Sequence, residues 1–303
     1  MPQSQKIRVS HMAASLGKRV FSPKHAAHAL RLHMTRKRSS RAKGDSQLAL
    51  YSQLIGDFLH LGYFEEDIQP EDMSLNQMKR AQARYCEKVL AHIQDKELPV
   101  LDVGCGTGAM LKILLSAGFK PLGLTPDDNQ VSHIKTTSLP VLHTRFEDLS
   151  CIDQPVGTLL TMESLQYLDP QIVFSKVRES LSIGGRWIIC DYLNLKSESE
   201  KKPSWNSIYE GLKQHNFKII HDEDITKNIL PTIRFLYFLG EHFGMPLFDY
   251  MRVKLQNREP GIYYLLDEVI REFRDVLLNN LAITDPDRFT LKKNYRLLVA
   301  IPH

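Results

Sequence analysis

The chain has 303 residues, 43% of them hydrophobic and 24% charged, with a net charge of +4; this is the make-up of an ordinary soluble globular protein, long enough for one large domain with additions. No apolar run reaches the roughly 18 residues of a membrane-crossing helix, and residues 1–20 lack the compact apolar core of a secretory signal. Cys86, Cys105, Cys151 and Cys190 are scattered without metal spacing, which points to a reduced intracellular compartment.

The charge is unevenly placed. Residues 1–44 hold five Lys, six Arg and no acid, so the other 28 basic residues face all 35 acidic ones. An acidic body with a basic head is a poor nucleic-acid surface, because phosphate binding needs clustered positive charge. Three readings of the head stay open: a mitochondrial transit peptide, an anchor to an anionic surface, or a flexible tail resting on the acidic body. His25, His28 and His33 have no acid nearby and do not form a metal-ligand set.

Ser22-Pro23 has the form of a helix start. "RKRSSRAKG" reads as a linker. Residues 46–61, "SQLALYSQLIGDFLHL", have apolar residues at helical spacing, and "GYF" ends them. Ser74 with Gln77 forms a capping box, and Leu75, Met78, Ala81, Tyr85, Val89 and Ile93 then recur along one face. From residue 98, strands and helices alternate: "PVLDVG", "KPLGLT", "PVLHT", "GTLLTM", "GRWIICDYL", "FKIIHD" and "NYRLLVAIP". Several strands are continuously apolar, the pattern of a parallel sheet covered on both faces. The last connection is long and helical, and in it Ile262, Leu266, Val269, Ile270, Phe273, Leu277 and Leu281 form one stripe.

The first strand runs into "VLDVGCGTGAML", residues 100–111. A dinucleotide-binding strand enters its glycine turn without an acid; Asp102 would oppose a pyrophosphate and suits a cationic ligand approaching the loop. The glycines let that ligand approach the backbone closely, and no Walker lysine follows. The stretch resembles motif I of class I S-adenosylmethionine-dependent methyltransferases, and the order of elements agrees over residues 46–303. The resemblance implies an α/β fold: a seven-stranded Rossmann-like sheet with an N-terminal helical cover and a helical lid before the last strand. The expected division is a head over 1–44, a cover over 45–97, a cofactor-binding core over 98–224, a lid over 225–285 and the final core strand over 286–303.

The resemblance also implies site residues. Asp102, Gly104, Gly106 and Gly108 would hold the methionine end of S-adenosyl-L-methionine. The usual acid after the second strand is replaced by Thr125, and this departure resembles the cyclopropane-fatty-acid-synthase branch, where a Thr and a Gln five residues later contact the ribose; Thr125 and Gln130 have that spacing. Asp127 and Asp128 are alternatives as helix caps. "RFEDL" stands at the adenine position, with Phe146 and Glu147 matching best and Asp148 an alternative. "HLGYF" and "AQARY" add Tyr63 and Gln82 as cofactor contacts or as helix-packing residues. In the loop "TMESLQYLDP", Glu163, Gln166 and Tyr167 would face the transferred methyl, with Glu163 a base or a cap; Asp191 and Tyr192 form a second tier.

That loop lacks the N/D-P-P-Y/F element of base-modifying amino-methyltransferases. The expected activity is therefore methyl transfer to a small apolar or amphipathic acceptor at oxygen, nitrogen or carbon, in the cytoplasm, or in mitochondria if the head is a transit peptide. Cyclopropane formation on acyl chains and non-catalytic cofactor binding are the alternatives.

Overall fold

The computed structural model describes residues 58–150, 154–195 and 203–303, and within the head 22–25, 27, 28 and 31. The described head residues 23–25, 27, 28 and 31 are helical, with Ser22 just outside. The rest of the head and the stretch 46–57 lie outside the described residues, as does Cys151; Phe58–Leu61, expected as the end of a helix, is irregular chain.

Ser74 caps helix α1 (Leu75–Leu90): its hydroxyl accepts from Gln77 N, and the Gln77 side chain accepts from Ser74 N at 2.8 Å. The face of α1 that points inward buries Met78, Ala81, Tyr85 and Val89 as its spacing predicts, but Leu75 stays 48% exposed. After it come β1 (Pro99–Val103), α2 (Ala109–Ser116), β2 (Lys120–Leu124), α3 (Asp128–Lys135), β3 (Val141–Leu142), β4 (Val156–Met162), α4 (Val173–Ser180), β5 (Leu181–Asn194), α5 (Trp205–Gln214) and β6 (Phe217–Asp224). Four helices follow, α6 (Thr226–Leu239), α7 (Met245–Arg258), α8 (Pro260–Ile283) and α9 (Pro286–Lys292), before β7 (Lys293–Pro302). A π-helical segment, Gly240–Gly244, joins α6 to α7.

The seven strands form one sheet in the order β3-β2-β1-β4-β5-β7-β6, with β7 antiparallel to both neighbours and the other pairings parallel. All five residues of β1 are buried, as a central strand covered on both faces requires. Edge strand β6 instead alternates after Phe217 between exposed and half-buried residues. At the other edge, β3 is two residues rather than the five of "PVLHT": its bonds end at Thr125 N to Leu142 O, and among the described residues no further strand pairs with its outer side.

The helical insertion before β7 has two unlike parts. Helix α6 buries Ile229, Thr232, Ile233 and Phe235, and it is sewn to the chain before α1 through Gly62 N to Thr232 Oγ1 at 3.0 Å and Phe64 N to Asn228 O at 2.8 Å. Helices α7 and α8 bury no residue. The helical region also passes the expected boundary at 285, because Asp285 caps α9 and Pro286 opens it. Among the described residues no helix is long and apolar enough to cross a membrane.

Replacing Ser74 by Ala is expected to lower stability by about 1 kcal/mol. Urea unfolding checks this: the midpoint should fall while the dependence on denaturant stays unchanged.

Candidate active site

A cavity of about 860 Å³ opens at the C-terminal ends of β1 and β4, walled by Phe58–Leu61, α1, the glycine loop and α6. Ligand crevices of open α/β sheets lie at this end because strand order reverses there; here β1 sits between β2 and β4.

The glycine loop forms one end. Gly104, Gly106 and Gly108 all have positive φ, +80°, +55° and +81°, which side-chain-bearing residues adopt only with strain. Gly104 N and Cys105 N both donate to Leu124 O, at 2.8 and 3.2 Å, tying the turn to β2. At Gly104 a Cβ would lie 2.5 Å from Ser164 Cβ, and Ser164 is itself fixed by donating to Val103 O at 2.6 Å. The turn is thus shaped by its neighbours as well as by its own sequence.

Among the described residues, two polar groups at this end have no hydrogen-bond partner. Asp102 is 2% exposed, and among the described residues no donor reaches its carboxylate; burial pushes its pKa up to about 7. Gln82 is also 2% exposed and lines the cavity; its Nε2 donates to Phe58 O and His60 O, at 3.2 and 2.9 Å, while Oε1 has no partner. Buried polar atoms are rarely left so, and a bound cationic ligand would satisfy both.

On the β2 side, Thr125 Oγ1 donates to Gln130 Oε1 at 2.6 Å, so the pair expected from its spacing does meet. Thr125 is buried behind it, and Gln130 and Asp127 reach the cavity. Asp127 also caps α3, accepting from Asn129 N and Gln130 N at 2.9 Å each through Oδ1. Capping and a place in the cavity coexist in this residue.

Several expected residues stand elsewhere. Phe146 is a core side chain, 1% exposed. Glu147 accepts from Asp169 N at 3.0 Å and from Arg145 Nε at 3.3 Å. Neither lines the cavity, nor does Gly108 or Tyr63. Tyr63 turns toward Lys88, whose ammonium lies 4.8 Å from the ring centre; from the same segment, His60 and Leu61 face the cavity instead.

The acceptor end is built around the loop after β4. Glu163 is half-buried with φ +51°, an uncommon conformation for a non-glycine residue. Its N–H donates to Cys190 O at 2.9 Å. Its Oε1 accepts from Leu61 N and from the Tyr295 hydroxyl, both at 2.8 Å. Burial raises the carboxyl pKa to about 7, partly offset by those two donors. Gln166 approaches the Tyr192 hydroxyl at 3.4 Å, and Tyr167 stands at the mouth, 76% exposed. Asp191 is fully buried and accepts from Leu165 N at 2.9 Å and Tyr192 N at 2.7 Å, so it fixes the loop rather than entering the cavity. Tyr295, His60 and Tyr85 were not among the expected site residues: His60 opens "HLGYF" and Tyr85 closes "AQARY" without a site role assigned to either, and nothing local in the sequence marks Tyr295.

Gly104→Ala is expected to cost about 1–3 kcal/mol through backbone strain and to push Ser164 off Val103 O. Thermal unfolding, with cofactor titration beside it, reads both effects; unchanged values in both would contradict the close approach.

Residues 101–189 match the family model described as a methyltransferase domain. The chain is 24% identical over 217 residues to an O-methyltransferase, resE, of Aspergillus sclerotiorum, covering 63% of this chain and 80% of that one. Among solved structures it resembles the [4+2]-cyclase SpnF, with TM-score 0.63, 18% identity and coverage of 86% and 94% of the two chains. It also resembles the mycolic acid cyclopropane synthase CmaA1 solved with SAH and CTAB, with TM-score 0.60, 16% identity and coverage of 88% and 99%. With its glycine turn, its sheet order and the methyltransferase-domain match over 101–189, the chain is an S-adenosylmethionine-dependent methyltransferase, and its likeness to the cyclopropane synthases is one of fold.

Proposed function

We propose that this enzyme methylates a small, apolar or amphipathic acceptor carrying an ionisable O–H or N–H, with Glu163 as the base. The observation that carries the reading is one cavity with an unpartnered buried acid, Asp102, at one end and a half-buried carboxyl, Glu163, at the other. Asp102 and the Gln82 Oε1 would take the cofactor's ammonium, the turn of Gly104 and Gly106 would pass along its methionine end, and Gln130 with Asp127 would meet the ribose, Thr125 bracing Gln130. Phe146 and Glu147 would then serve the adenine side through backbone and loop position, and Tyr63 would pack the cover.

S-adenosylmethionine supplies a methyl on a positively charged sulfur, which leaves as a neutral thioether when the acceptor's lone pair takes the methyl. Glu163 takes the proton that the acceptor loses, and Gln166, Tyr167 and Tyr192 orient the acceptor. Met162, Ile233, Leu236 and Phe289 make the acceptor side apolar, which supports a substrate with hydrocarbon or aromatic surface. The named O-methyltransferase relative supports oxygen as the receiving atom. Thr125–Gln130 supports acyl-chain cyclopropanation as the second reading. We place the enzyme in the cytoplasm, with the basic head outside the cleft.

A screen with labelled methyl donor against phenols, hydroxy acids, amines and unsaturated acyl lipids tests the reading. A labelled phenol or hydroxy acid supports it; label only in cyclopropane rings, or cofactor binding without transfer to any class, would overturn it.

Three outcomes follow. Asp102→Asn removes a charge-assisted bond and should weaken cofactor binding by about 1.5–3 kcal/mol in calorimetry. A cation binds the ionised form of Asp102, so in the wild type affinity should be full above pH 7 and fall by up to about tenfold per unit below it. Replacing residues 240–282 with a short flexible linker should keep cofactor binding, because α6 remains, while transfer to the native acceptor falls; full turnover without that hairpin would remove it from substrate gating.

A further inference from the structure

Glu163 is held from both sides of the sheet's end, and one of its holders is far away in the chain. Tyr295 lies on β7, directly opposite Tyr192 of β5, and is completely buried. Its hydroxyl donates to Glu163 Oε1 at 2.8 Å and lies 2.8 Å from the Tyr85 hydroxyl. Tyr85, on α1, is 1% exposed, and its hydroxyl also donates to Cys190 O at 3.1 Å. The Cys190 carbonyl accepts the Glu163 N–H as well, through its second lone pair. Each phenol has one proton to give and an oxygen that accepts. With Tyr295 donating to Glu163, its oxygen is left to accept from Tyr85, so the Tyr85 proton is shared between Tyr295 and the Cys190 carbonyl while the Tyr295 proton points at the carboxylate.

Both hydrogen bonds from the protein land on the same carboxylate oxygen, Oε1. Oε2 receives neither, although Glu163 lines the cavity. The backbone of Tyr295 is clamped as firmly as its ring: its N–H donates to Thr226 Oγ1 at 2.8 Å, and its carbonyl accepts from Ile225 N at 2.9 Å. Those partners are the first residues of the helical insertion, so the position of the carboxylate depends on where that insertion is rooted.

We infer that Tyr295, backed by Tyr85, is a positioning residue for Glu163: it holds Oε1, so that Oε2 alone faces the acceptor and takes its proton. The inference rests on the reading of Glu163 as the base. The other titratable or charged groups around this carboxyl are Asp191, Cys190 and Tyr192 from β5 and Tyr167 from its own loop, and the same cavity is lined by His60 from the cover and by Lys293 from β7, whose ammonium lies 4.9 Å from the Tyr192 ring centre. Asp191 is the one other carboxyl among these, and its own pKa is raised well above the usual range; His60 is kept neutral, its pKa lowered to about 4 by burial. Neither supplies a charge that would replace the tyrosine's donation.

The sign of the expected effect follows from the donor. A hydroxyl given to the ionised carboxylate favours that form; without it Glu163 holds its proton more tightly and works as a base only at higher pH. Tyr295→Phe keeps the ring packed on Tyr85 and removes one oxygen. The experiment measures kcat and KM across pH with a methyl acceptor found in the screen, for the wild type, Tyr295→Phe, Tyr85→Phe, Glu163→Gln and the Glu163→Gln/Tyr295→Phe double variant, with thermal unfolding and cofactor titration as controls.

In Tyr295→Phe, kcat should drop roughly ten- to hundredfold with KM and cofactor affinity little changed, and the acidic limb of the kcat profile should move up by about half a unit or more. Tyr85→Phe should move it the same way by less, and keeps the test open if Tyr295→Phe does not fold. In the Glu163→Gln background the tyrosine change should add nothing. An unmoved acidic limb in both tyrosine variants, or an equal further loss in that background, would overturn the positioning role while leaving the base intact. Full activity in Glu163→Gln would instead remove the base itself.

Discussion

A single carboxylate joins four separated pieces of this chain. Glu163 ends β4 in a left-handed conformation that L-residues avoid. Its amide is held by Cys190 of β5, and its side chain accepts from Leu61 before α1 and Tyr295 of β7. Sequence separations of 102 and 132 residues are closed at this one group. Strain of this sort persists only where the surroundings over-determine it, and here a backbone carbonyl, a backbone amide and a phenol all fix the same residue. The segment from Phe58 to Leu61 is drawn over the cavity by the same contact that orients the acid.

The two ends of the cavity use burial differently. Asp102 is buried and, among the described residues, meets no donor, so its charged form is costly until a cation arrives; this makes ligand binding and ionisation one event. Glu163 is also desolvated but keeps two donors, and the balance leaves it near pH 7, where a base is most useful. Between them, the apolar wall contributed by Met162 and α6 lowers the local polarity and strengthens both effects.

The insertion before β7 serves the site mainly through its first helix. Helix α6 has a buried face and hydrogen bonds to the Gly62–Phe64 segment, so it acts as part of the core. The α7–α8 hairpin leaves Tyr264, Leu265 and Val269 well over half exposed and reaches the cavity only near Ile283 and Thr284. Helix α8 does carry the stripe expected from its spacing. Ile262, Leu266, Ile270, Leu277 and Leu281 are half-buried, while Val269 and Phe273 of that stripe face outward.

What the sequence by itself determined is local. An acid two residues before a run of positive-φ glycines, a capping box at Ser74 and Gln77, and apolar strands alternating with helices are each decided by neighbouring residues, through backbone sterics, short-range hydrogen bonds and side-chain periodicity. The fold class and the glycine turn were legible for that reason, while the Thr125–Gln130 pair was implied by the resemblance to the cyclopropane-synthase branch. Tertiary structure decided which side chains face the cavity. Within "HLGYF" the bonds of Gly62 to Thr232 and of Tyr63 N to Ala81 O turn His60 and Leu61 inward and leave Tyr63 against Lys88. Phe146 sits in the core and Glu147 is spent on Asp169 N, both through contacts with distant elements. Tyr295 reaches Glu163 only because β7 runs antiparallel beside β5 and sets Tyr295 opposite Tyr192; register between strands a hundred residues apart leaves no mark on the residues next to either tyrosine.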